Sequence, residues 1–140
     1  MWSQSYSQRV QGLSRAQLWA VWADVNQWHR WQDDIEYARL TGEFAVGQTL
    51  DFRPKGGPRI AIELVEVAPD QCFTDLTRFP GARMYGRHEF IDQPDGVEIR
   101  TTMRVEGPLG FLWRKIVAEG IVKGLPAQTA SLIQRVRDVG

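Results

Sequence analysis

A chain of 140 residues is long enough for one domain that removes roughly two-thirds of its unfolded surface from water, so it needs no covalent staple to fold. Its 17 basic and 17 acidic side chains cancel, which leaves no broad field to gather phosphate backbones or anionic lipid and speaks against nucleic acid as a partner. The single cysteine, Cys72, cannot form an internal disulfide, and there is neither an apolar run of about 18 residues nor a leader-like start at Met1. The expectation is a cytoplasmic protein without integral membrane association.

No repeat, low-complexity tract or long linker divides the chain, so residues 1–140 read as a single domain. The opening "WSQSYSQRV" carries Trp2, Tyr6 and Val10 on one side of a possible strand. "GLSRAQLWAVWADV" then switches to helical spacing, with Ser14 and Gln17 forming a capping box and Leu18, Val21, Trp22 and Val25 an apolar stripe. Asn26 and Gln27 break the stripe. In "WHRW" the two tryptophans, three apart, fall on one side of a short helical turn, which directs His29 away from them.

From Ile35 to Val105 the signals are those of strands, punctuated by turns at "TGEFAVG", "PKGGP", "APDQ", "FPGA" and "QPDG". Connections this short imply antiparallel neighbours. The clearest strand alternates Val97, Ile99, Thr101, Met103 and Val105 with Glu98, Arg100, Thr102 and Arg104, so one face is wet and the other covered. The cover comes last. "GPLGFLWRKIVAEGIVKGLPAQTASLIQRVRDV" begins with Pro108 at a favourable first helical position and repeats apolar side chains at Leu109, Leu112, Trp113, Ile116, Val117, Ile121, Leu132, Ile133 and Val136. Pro126 cannot donate to the carbonyl of Val122, and a bend is expected near Gly124 to Pro126.

Opposed residues of antiparallel strands point to the same face, so two tight turns fix a register. With Pro80 and Gly81 at the tip of "FPGA", Phe79 faces Ala82, Thr77 faces Met84, Asp75 faces Gly86, and Phe73 faces His88. With "QPDG" as a four-residue loop, Phe90 faces Ile99, His88 faces Thr101, and Gly86 faces Met103. The covered face then holds Phe73, Asp75, Thr77, Phe79, Met84, Gly86, His88, Phe90, Ile99, Thr101 and Met103, and Arg78, Arg83, Tyr85, Arg87 and Glu89 face water. A three-residue loop at either turn would exchange the two sets. Asp75, His88 and Thr101 are thus polar groups under the helix, beside room left by Gly86 and, on the helix, by Gly120 and Gly124. Space between a sheet and a helix is a ligand cavity if tryptophans do not fill it.

The run "LWAVWADVNQWHRWQDDIEYARLTGEFAVGQTLDF", then "RFPGARMYGRHEF", "DGVEIRTTMRVEGPLGFLW" and a long final helix resemble the helix-grip, START-like superfamily called SRPBCC, in particular its polyketide cyclase/dehydrase and lipid-transport branch. The resemblance implies an α+β fold: a curved antiparallel sheet of about seven strands around a long C-terminal helix, two short helices after strand 1, and an apolar cavity between them. It constrains activity little, because one architecture serves carriers, receptors and enzymes. It also implies that the segment like "DVNQWHRW" closes one end of the grip, with Trp28 and Trp31 as packing anchors and His29, Arg30, Asp33 and Asp34 as exposed corner residues.

Metal binding is not expected, since two histidines, one cysteine and scattered carboxylates lack HxxxH or CxxC spacing, and no cofactor is implied. Cys72 falls on the solvent side of its strand and reads as an unremarkable thiol. "PKGGP" precedes a strand, unlike a phosphate cradle, and Arg53 and Lys55 beside it read as solvated edge charges. His88 and Asp75 are the candidate catalytic pair, an imidazole whose tautomer a carboxylate sets; mutual satisfaction of buried polar groups is the simpler reading of the same residues. Candidate ligand-binding residues are Phe73, Thr77, Met84, Phe90, Ile99, Thr101 and Met103 on the sheet and Trp113, Ile116, Gly120 and Gly124 on the helix, the last four serving equally as ordinary core. Three functions remain open: a carrier or sensor of a small hydrophobic molecule (a lipid, polyketide or aromatic metabolite), a cyclase, aromatase or dehydratase using His88 as proton shuttle, and a co-chaperone-like interaction module. A monomer or a homodimer fits each.

Overall fold

Turn chemistry lays out the sheet. In the computed structural model, which describes residues 1–139, seven strands follow the turn signals: β1 (Trp2–Val10), β2 (Ile35–Arg39), β3 (Thr49–Pro54), β4 (Ile60–Ala68), β5 (Cys72–Phe79), β6 (Ala82–Gln93) and β7 (Gly96–Glu106). Neighbours run antiparallel in the order β1-β7-β6-β5-β4-β3-β2, a meander from β2 to β7 closed by β1 along β7. Extra residues interrupt the ladder between Leu64 and Glu66 of β4 and between Ile35 and Tyr37 of β2, and such bulges increase the bend of the strand that carries them.

The register is the expected one. Phe73 pairs with His88, Asp75 with Gly86, Thr77 with Met84, His88 with Thr101, Gly86 with Met103 and Phe90 with Ile99. Pro80 and Gly81 form one tip, with Gly81 at φ 72°, a conformation that favours glycine. The outer face is a lattice of exposed ion pairs, among them Arg78 with Glu63 at 2.7 Å and Arg83 with Glu106 at 2.9 Å, while Tyr85 lies beneath the Arg104 guanidinium. Cys72 is on this outer face yet buried, because the Arg87 side chain lies across it at 3.8 Å.

Between β1 and β2 the chain forms α1 (Arg15–Ala23) and a 3₁₀ turn (Val25–Arg30). The capping box is complete: Gln17 N donates to Ser14 Oγ at 3.2 Å, and Ser14 N donates to Gln17 Oε1 at 2.8 Å. Asn26 ties the turn to the end of β2 through a pair of 3.2 Å hydrogen bonds with the Leu40 backbone. Trp22 receives Trp28 and Trp31 edge-on, with ring centroids 5.2 and 4.9 Å away, and Trp28 Nε1 donates to the Trp22 carbonyl at 2.8 Å. All three rings are buried, whereas His29, Arg30, Asp33 and Asp34 are exposed. The stretch "VNQWHRWQDD" is therefore a packed corner.

The C-terminal helix departs from the sequence expectation. It runs as α2 (Gly110–Trp113), a wide π turn (Arg114–Ala118) and α3 (Glu119–Val139), and α3 continues unbroken through Pro126. Pro126 is exposed, so water can serve the Val122 carbonyl that it leaves unpaired without ending the helix. The irregularity lies at the π turn instead. Its additional residue rotates α2 out of phase with α3, and Leu109, Leu112 and Ile116, expected on the covered stripe, are exposed together with Phe111. No helix among the described residues is long and apolar enough to cross a membrane.

Candidate functional site

α3 packs against α1, β1 and β7 and so leans toward one end of the sheet order. Two apolar clusters result. One gathers the tryptophan corner, Phe73, Phe90, Ile99 and the end of α3; the other joins Met84, Met103, Val105, Ala118 and Leu125. Between them lies a cavity of about 460 Å³, bordered by members of both and within the size range of small-molecule sites. Its mouth has a regular edge. Ile116, Gly120, Gly124 and Gln128, one per helical turn, all border it, and the first three are exposed. A Cβ built on Gly120 or Gly124 meets nothing within 4 Å, so the two glycines hold that edge open. On the sheet side the exposed or half-exposed lining residues include Asp34, Phe52, Pro54, Ile60 and Ile62.

His88 and Asp75 form the polar part of the wall. His88 Nε2 lies 3.4 Å from Asp75 Oδ2, and the imidazole is stacked on Phe73 at 4.5 Å and tilted against Trp22 at 4.6 Å. Its other nitrogen, Nδ1, is sealed from solvent and has no partner. The Nε2 edge of the ring thus faces the carboxylate, and the Nδ1 edge faces no donor or acceptor of the chain. Gly86 makes room for this pair: a Cβ there would stand 3.0 Å from Asp75 Oδ1. Two further polar groups on the wall lack partners, Trp22 Nε1 and Gln32 Nε2; Gln32 Oε1 accepts from Gln128 Nε2 at 3.2 Å.

A second hollow of about 430 Å³ beside the end of β1 is bordered by Arg9, Gln11, Asp95 and Arg137. All four are exposed, and the hollow has none of the buried polar groups that mark the first.

The polyketide cyclase / dehydrase and lipid transport family model matches residues 1–137. The chain belongs to that family. Among solved structures of similar fold, a START superfamily protein from Mycobacterium smegmatis is 15% identical, with 99% of each chain covered and a TM-score of 0.70. A hypothetical protein of Helicobacter pylori is 16% identical over 96% of this chain and 87% of its own, with a TM-score of 0.76. Norcoclaurine synthase of Thalictrum flavum, in complex with dopamine and hydroxybenzaldehyde, is 14% identical over 98% of this chain and 88% of its own, at 0.71. No curated protein matches the sequence.

Within this family fold, the residues singled out from the sequence divide in two. Asp75, Thr77, Met84, His88, Thr101, Met103, Ile116, Gly120 and Gly124 border the cavity. Phe73, Phe90, Ile99 and Trp113, expected in the lining, do not. Trp19 covers the first two edge-on, at 6.1 and 6.4 Å, and Ile99 is 3% exposed in the same cluster. Trp113 is stacked on Phe79 at 4.5 Å, with its Nε1 donating to the Pro80 carbonyl at 2.8 Å, because the π turn swings it away from the sheet's interior. Sequence reasoning missed the far wall, Phe52, Ile60 and Ile62, and the amides of Gln32 and Gln128. A signal for that wall exists: Leu64 pairs with Asp75, and alternation then brings Ile62 and Ile60 to the same face.

Proposed function

We propose that the chain binds a small apolar molecule in the cavity beneath α3. The observation that carries this is open volume of about 460 Å³ with a mostly apolar wall and a few convergent polar groups, kept accessible by two glycines on its rim. Burial in such a site supplies affinity at roughly 25 cal/mol per Å² of apolar surface removed from water. Native mass spectrometry of freshly purified protein, followed by organic extraction, tests the reading. A co-purifying hydrophobic species supports it, and protein that is empty and takes up no apolar dye removes it.

A second reading, an enzyme of the cyclase or dehydratase kind, has the His88–Asp75 contact in its favour. Against it, Nε2 is turned to the carboxylate and Nδ1 is sealed, so neither nitrogen offers a free lone pair to the cavity. Binding without turnover is the better supported role, with Asp75 orienting the ligand and His88 holding the Asp75 carboxylate in place. His88→Ala separates the two. If His88 shuttles a proton, turnover is lost while affinity stays within about tenfold; if it holds Asp75 in place for a ligand, affinity falls and there is no turnover to lose. The open interior favours a small molecule, while the interaction module has the exposed Leu109, Phe111 and Leu112 at the head of the final helix in its favour.

A further inference from the structure

Resting on the ligand-binding reading, we propose that the cavity selects uncharged apolar molecules that carry a hydrogen-bond donor, and that it discriminates against carboxylates and phosphates. The charges on its wall set the exclusion. Among all the residues that border it, the carboxylates are Asp34 at the mouth and Asp75 inside; there is no lysine or arginine, and the one basic side chain, His88, already faces Asp75. Lys55 and Lys123, adjacent in the chain to the rim, are exposed and do not line it. An anionic head group would be desolvated with no counter-ion to meet it. It would also stand near the Asp75 carboxylate. Like charges about 6 Å apart at an effective dielectric constant of about 20 weaken binding by about 100-fold, and screening through the open mouth leaves about 10-fold or more.

Asp75 sets the selection. It has a single long contact, 3.4 Å to His88, and so retains acceptor capacity for a ligand N–H or O–H. The partnerless nitrogens of Trp22 and Gln32 are buried within the wall, as His88 Nδ1 is, and offer the cavity no donor. An uncharged amide or alcohol donates to Asp75, whereas a carboxylate has no proton to give it and loses its hydration.

Displacement of the neutral fluorophore N-phenyl-1-naphthylamine compares two ligands of one shape, decanamide and decanoate, at about pH 8, where the acid is ionised. Decanamide is expected to displace the dye at a concentration about 10-fold lower or more, and Asp75→Asn to bring the two ligands closer, each read against that variant's own dye affinity. Decanoate binding as tightly as decanamide to the wild-type chain overturns the charge selection and leaves ligand binding in place. A dye that is not bound at all, with neither ligand causing a change in the protein's melting temperature, overturns both.

Discussion

Gly86 on β6 faces Asp75 on β5, and the missing side chain of the one is the space occupied by the carboxylate of the other. A methyl group at position 86 would sit 3.0 Å from Oδ1 and 3.3 Å from Oδ2, close enough to push the carboxylate along the strand. Gly86→Ala is expected to cost about 1 kcal/mol, the lower end of overpacking, because the displaced group is a short side chain beside open volume. Urea denaturation reads the stability. The ¹⁵N shifts of His88 should change as Nε2 loses its partner, and unchanged shifts would show that the carboxylate does not fix the ring.

The rim glycines give the opposite case. Gly120 and Gly124 have ordinary helical φ and open space at Cβ, so a side chain there meets no clash and removes the helical cost of glycine, about 0.5–1 kcal/mol. Gly120→Leu should leave stability equal or slightly higher while lowering affinity for an apolar dye by about 10-fold or more. A variant that melts higher and binds as before would mean that ligands enter elsewhere.

The tryptophan corner predicts a contrast in stability within twelve residues. Trp22→Ala removes a ring 4% exposed that touches Trp28, Trp31, Phe73 and His88, at a cost of about 3–5 kcal/mol. His29→Ala and Asp33→Ala, both at exposed positions, should stay within about 0.5 kcal/mol. Chemical denaturation of the three variants checks the contrast, which disappears if the cluster is held by its polar members.

The N-cap of α1 offers a smaller test. Ser14→Ala leaves Gln17 N without its side-chain acceptor and should lower stability by about 1 kcal/mol. Thermal unfolding of the variant against the parent measures it. No change would mean that water replaces the hydroxyl fully.

Much of the site was legible because β5, β6 and β7 are joined by turns whose length sets side-chain parity, and parity alone puts Asp75, His88 and Thr101 under the helix. Sharing a face does not imply bordering one volume. Phe73 and Phe90 share that face but lie beneath Trp19 and Trp22, a relation set by how α1 crosses the sheet and absent from strand alternation. The contributions of β3 and β4 were harder to read, since bulges at two strand pairs break the simple count. The apolar rhythm from Leu109 to Val136 looks like one α-helix whose irregularity should fall at Pro126, and nothing in composition marks Arg114–Ala118 as the place where winding widens.

That wider winding acts as a phase shifter. Each residue of an α-helix advances about 100° around the axis, so one surplus residue between Arg114 and Ala118 sets the bearing of everything before it relative to α3. Excising a single position from this segment would turn Phe111 and Leu112 by about that angle. Which oily side chains at the head of the final helix meet water is thus a matter of the pitch of one coil.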